Sequence, residues 1–206
     1  SQEFTTSRRR LLAAIDAFMG RRPRSSTLER IDEEQRTRDF RQPGDRVADP
    51  LIFERGYNAR TALDSLRRLA EYMAGVSGRR KAMVLFSEGV DFDITDPFNN
   101  LDATNVQQAS REAIAAATRA NVAIYGVDPR GLTQLGDDMI EVASLPEDPQ
   151  LRLGASAFLD ELRLAQDSLR VLSSETGGFA VVNRNDFDGA FDRIVADNSS
   201  YYVLGY

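Results

Sequence analysis

Two hydrophobic periods alternate along the chain. Leu63, Leu66, Leu69, Ala70 and Met73 recur at three- and four-residue spacing, opposite Asp64, Arg67, Arg68 and Glu71, which predicts an amphipathic helix. The continuous apolar run that follows, Ala82 to Phe86, has strand length and predicts a strand buried on both faces, as in a parallel sheet covered by helices. The pair then repeats. An alanine-rich helix over 105–121 precedes the apolar strand 122–128, and a long helix over 156–178 precedes a third strand, 179–182. Gly177 and Gly178 stand where a left-handed turn would stop that helix. Residues 187–198 predict a short helix with Phe187, Ala190, Phe191, Ile194 and Val195 on one face. "SYYVLGY", 200–206, predicts a fourth strand.

The flanks are less regular. Residues 5–20 predict a helix capped by Thr6 or Ser7, with Leu11, Leu12, Ile15, Phe18 and Met19 on one stripe and Gly20 as its stop. Residues 21–50 are dense in Arg, Asp and Glu and broken by Pro23, Pro43 and Pro50; they predict a solvated polar insertion, with room for a short helix around 28–38. The alternation as a whole predicts an α/β fold: a doubly wound, mostly parallel sheet with helices on both faces. At 206 residues the chain suits a single domain spanning 1–206.

Composition removes several chemistries. With no cysteine and no histidine, thiol nucleophiles, Cys/His zinc sites and imidazole bases are all excluded. A metal held by this chain would be a hard cation on oxygen ligands. The net charge of −6 carries no electrostatic footprint for nucleic acid. No apolar run approaches the roughly 20 residues of a membrane span, so membrane insertion is not expected. Nor does the first segment read as a signal peptide.

In open parallel sheets, ligands bind beyond the carboxyl ends of the strands. The strand ending at Phe86 delivers Ser87 and Glu88, with Asp91, Asp93 and Asp96 following; the strand 122–127 delivers Asp128. One reading is a hard-cation site to which Ser87 or Thr61 adds a hydroxyl. The other is an ordinary polar turn, since Asp and Ser favour turns and caps, and the spacing alone favours this one. An enzymatic alternative is a metal-assisted phosphoester hydrolase on Glu88, Asp91, Asp93 and Asp128, against which the lack of histidine and of nearby lysine counts. The basic turn at 78–81 and the glycines of "ETGGFA" read as a solvated turn and a helix stop before they read as anion cradles.

"GRRKAMVLFSEGVD", "ANVAIYGVDPRGL" and "LSSETGGFAVVNRNDFDGAFDRIVADNSSYYVLGY", in this order, resemble a von Willebrand factor type A (VWA) domain of the bacterial, acidobacterial-type VWFA-related family. The resemblance covers most of the chain, with 21–50 the weakest part. It implies a Rossmann-like fold and a non-enzymatic protein-binding or adhesion function through a metal-ion-dependent site on the strand rim. Ser87-Glu88-Gly89 matches the family's third metal element, with glutamate where aspartate is usual. Thr61 is the best match to the second, ahead of Asn58. The D-x-S-x-S of the first strand is absent from the 206 residues. The resemblance therefore implies a partial domain entered after its first strand, with a degenerate or incomplete metal site. No cofactor is expected on this chain alone, and Mg2+ or Mn2+ is expected in a complete domain. It further implies an extracytoplasmic setting, and a strand at 200–206 that leads into a missing β-rich region or pairs with the edge of another chain. A purely structural scaffold is the remaining alternative.

Overall fold

The structure, a computed structural model, describes residues 5–17, 24–40, 49–76, 78–90, 92, 102–131, 137–145, 147–148 and 151–199. Helix α1 (Arg8–Asp16), α2 (Ser26–Thr37) and α3 (Ile52–Ala74) precede strand β1 (Lys81–Phe86). Then come α4 (Ala103–Arg119), β2 (Val122–Val127), α5 (Asp137–Ala143), α6 (Ala155–Glu175), β3 (Ala180–Val181) and α7 (Asp188–Ser199). The chain is mixed α/β, and its strands form one parallel sheet in the order β1-β2-β3. Lys81 to Phe86 run in register with Val122 to Val127, while Gly126 and Val127 pair with Ala180 and Val181.

Strand β2 is buried along its whole length because alternate side chains meet different helices. Val122 and Ile124 pack with Met83, with Ala70 of α3 and with Ala116, Ala117 and Ala120 of α4. On the same side, a Cβ on Gly126 would lie 2.5 Å from Leu169 Cγ, so glycine lets α6 approach the strand. Ala123 and Tyr125 pack with Ile194 of α7, and Val127 with Val181 and Ala190. Alanines on α4 bring that helix close to β1 and β2, and the period-two pattern then sorts the core into two layers.

Strand β1 departs from the expectation of a strand buried on both faces. Met83 faces α3 and α4, whereas Val84 and Phe86 on the other side are 39% and 61% exposed. Among the described strands β1 stands at the sheet edge and pairs only with β2. The third strand is also shorter than expected. Its ladder is shared with α6, since the Ile124 N–H donates to Thr176 Oγ1 instead of to a strand carbonyl. Past Val182, Asn183 turns to a left-handed φ of 54° and takes the chain out of the sheet. The fourth expected strand, 200–206, lies outside the described residues.

The stretch taken for a solvated insertion contributes to the core instead. Leu28 and Ile31 of α2 are buried against Val142 of α5, Leu153, and Phe158 and Leu162 of α6. A one-turn spacing of two apolar residues suffices here because the helix start is tethered: Ser25 Oγ accepts from the N–H of Thr27 and Leu28. By contrast α1 buries none of its residues, and its apolar stripe of Leu11, Leu12 and Ile15 is exposed. Helix α6 ends as expected. Gly177 takes φ 80°, its N–H donates to Ser174 O, and the Gly178 N–H donates to Ser173 O, the double bond pattern of a Schellman stop.

No helix among the described residues is long and apolar enough to cross a membrane.

Candidate functional site at the strand rim

The register of β1 and β2 brings their carboxyl ends level, so Ser87-Glu88-Gly89 and Asp128-Pro129-Arg130 leave the sheet side by side. The Ser87 N–H donates to Val127 O at 3.1 Å, and the Asp128 N–H to Val181 O at 2.9 Å, which ties all three strand ends together. Ser87 closes its own turn, with Oγ accepting from the Gly89 N–H at 3.1 Å. Gly89, at φ 98°, is where the chain crosses α6. A Cβ there would sit 2.0 Å from Ala165 O, so only glycine fits. The next N–H, of Val90, donates to Ser168 Oγ at 2.8 Å and fastens the loop to the same helix.

Asp128 is fully buried, and its charge is met by Arg130. Oδ1 accepts from the Arg130 backbone N–H at 3.0 Å and from Nε at 2.9 Å; Oδ2 accepts from Nη2 at 2.8 Å. This is a fork-on-fork pair, the strongest geometry open to a guanidinium and a carboxylate. The same Nη2 donates to Glu88 O at 2.8 Å, and Nη1 lies 3.7 Å from Glu88 Oε2. Burial works against the charge of Arg130, but its hydrogen bonds to Asp128 and the fields of Asp128, Glu88 and Glu161 outweigh it and raise the guanidinium's pKa. A positive charge therefore sits between the two rim carboxylates, and it belongs to the protein.

Around this centre the rim is polar and tied. Gln166 of α6 exchanges two hydrogen bonds with Asn183, at 2.9 and 3.1 Å. Gly131 at φ 67° turns the chain beside Asn185.

The expected ligands fall into three groups. Glu88, Ser87 and Asp128 do converge on the rim. Thr61 is on an exposed face of α3, and its hydroxyl donates to Tyr57 O at 2.8 Å within its own helix. Asp91 and Asp93 lie outside the described residues. Among the described residues no three acidic side chains gather into a metal-holding group. Among the described residues the oxygen donors do not fit a divalent cation: both Asp128 oxygens are engaged by Arg130, and an ion beside Glu88 would face a guanidinium. Arg130 is the rim residue that motif reading passed over. Its sign in the sequence was an arginine two places after a strand-end aspartate, the spacing at which side chain and backbone N–H can both reach one carboxylate.

Family models, curated proteins and solved structures, each compared with the chain, give no match.

Proposed function

We propose that this chain is a non-enzymatic, VWA-like protein-binding module, built on a doubly wound Rossmann-like sheet, in which the metal position of the rim has degenerated into an internal ion pair. The observation that carries the reading is the Asp128–Arg130–Glu88 cluster, where a guanidinium supplies the positive charge that a metal would bring. A partner would meet the half-exposed Glu88 and, beside it, the apolar outer face of β1 with Val84 and Phe86. A hydrolytic site that used Asp128 would need that carboxylate open to a metal or to water, whereas Asp128 spends its oxygens on Arg130.

The test is a photo-crosslinking amino acid placed at position 88, at position 84, or at the exposed Arg163 of α6 as a control, in cells of the natural source. One adduct common to 88 and 84, absent at 163 and unchanged by a chelator, is the expected result. Adducts equal at all three positions, or lost on chelation, would overturn the reading. So would turnover of a generic phosphoester that disappears in Glu88→Gln.

A further inference from the structure

Below the rim loop, whose Val90 and Phe92 form one wall, α2, the start of α3 and α6 line a cleft of about 80 Å³. That is several times the roughly 10–15 Å³ that one water needs. Its charged lining is uneven: Arg30, Arg55 and Arg152 against Asp49 and Glu161. Both carboxylates are already committed. Asp49 Oδ2 accepts from Arg55 Nε at 2.7 Å, and Oδ1 accepts from the Leu51 N–H at 2.9 Å. Glu161 accepts from the backbone N–H of Ser26 and Thr27 and from the hydroxyls of Ser25, Ser26 and Thr27, all between 2.8 and 3.0 Å.

Arg30 is left over. Among the described residues its terminal nitrogens donate only to hydroxyls, Ser26 Oγ at 3.4 Å and Thr27 Oγ1 at 3.1 Å, and its Nε is buried with no hydrogen-bond partner. Burial lowers its pKa, with Glu161 and Asp49 opposing and Arg152 and Arg55 adding to the effect. A buried Nε–H with no partner, on a guanidinium that bonds no carboxylate among the described residues, is costly, and an anion removes that cost. Arg152, the exposed member, is held over the cleft by a tight turn in which it takes a left-handed φ of 55°.

We propose that this cleft binds one small oxyanion of the phosphate class, with Arg30 and Arg152 as its principal donors. The donors come from two different elements, so they suit a tetrahedral ion, whose oxygens point several ways, better than a planar carboxylate. Its donors are not the rim residues Glu88, Asp128 and Arg130, so it stands or falls independently of the protein-binding reading.

Titration calorimetry and thermal melts of the full chain with inorganic phosphate, against chloride at equal ionic strength, test it. A saturable heat and a saturable rise in melting temperature are expected, with acetate giving neither. Arg30→Lys keeps the charge but loses the Nε–H and the planar fork, and should weaken binding at least ~10-fold. Arg152→Asn, which tolerates the left-handed backbone, should weaken it likewise, and decides the matter if Arg30→Lys fails to fold. Arg163→Gln should leave binding unchanged. Wild-type protein that shows no saturable phosphate binding would overturn the proposal, as would variants at 30 and 152 that bind like wild type. Acetate binding as tightly as phosphate would overturn the assigned class.

Discussion

Replacing Arg130 with methionine tests the internal ion pair most directly. Methionine fills much of the same volume, keeps the backbone N–H that donates to Asp128 Oδ1, and removes the guanidinium. Asp128, with a side chain fully shielded from solvent, then loses its partner cation, the Nε bond at 2.9 Å and the Nη2 bond at 2.8 Å. Leaving one member of a buried pair behind costs roughly 3–5 kcal/mol, a large share of the 5–15 kcal/mol that holds an ordinary domain together. For a chain of 206 residues each kcal/mol shifts the midpoint by about 2–4 °C, so the melting temperature should fall by roughly 6–20 °C.

The assay is urea and thermal unfolding followed by circular dichroism at neutral pH, for Arg130→Met, Asp128→Asn and the double variant. In the double variant the orphaned charge is gone, and it should recover at least about 1–2 kcal/mol over Arg130→Met alone. Two results would refute the reasoning. One is an Arg130→Met loss below about 1 kcal/mol, the range of solvent-exposed pairs. The other is a double variant no more stable than the single.

Three further outcomes follow from the same geometry. Gly89→Ala should cost about 2–5 kcal/mol in urea unfolding, from left-handed strain and from overpacking against Ala165 O; a loss under 1 kcal/mol would mean the loop does not cross α6 there. Burial, and then the hydrogen bond to Asp197, raises the Tyr125 pKa above its usual value near 10. Between the unfolded and folded values the native state holds the extra proton, so this contribution is intact below pH about 10 and is lost as pH rises through the folded pKa; Tyr125→Phe should flatten that decline, and identical slopes would refute it. Finally, Mg2+ or Mn2+ added at constant ionic strength should leave the melting temperature of the wild-type chain unchanged, whereas a saturable rise would show that Arg130 is not the rim's only cation.

How far the fold could be read in advance depended on what each pattern measures. Periodicity reports which side chains an element buries, and it located the helices around Leu63, Ala113 and Leu169 because their apolar faces meet the sheet. It cannot report what lies across a strand. Residues 82–86 and 122–127 are both apolar runs, yet among the described strands one is at the edge and the other in the middle, a difference set by which strands pair with them. Composition misled at α2. Its many charged residues suggested a solvated segment, while two apolar residues one turn apart, with a glutamate 135 positions later in sequence, were enough to dock it. Such a long-range cap leaves no local trace.

The rim shows the same limit at the level of chemistry. Strand-end carboxylates were visible because topology directs ligands to strand ends, and Glu88 and Asp128 do arrive together. Whether two carboxylates make a metal site depends on the third charge between them, and that is decided by one side chain's reach. Arg130 closes on Asp128 from two residues away and touches the Glu88 carbonyl across the strand gap. A cation drawing on Asp128 would have to break that fork and leave the guanidinium without its carboxylate, a penalty of the same order as the one Arg130→Met imposes on Asp128. Ligands supplied by another strand would add coordination, but they would not remove that penalty. At Asp128 a divalent ion and the Arg130 pair are therefore alternatives, and among the described residues Asp128 holds the pair.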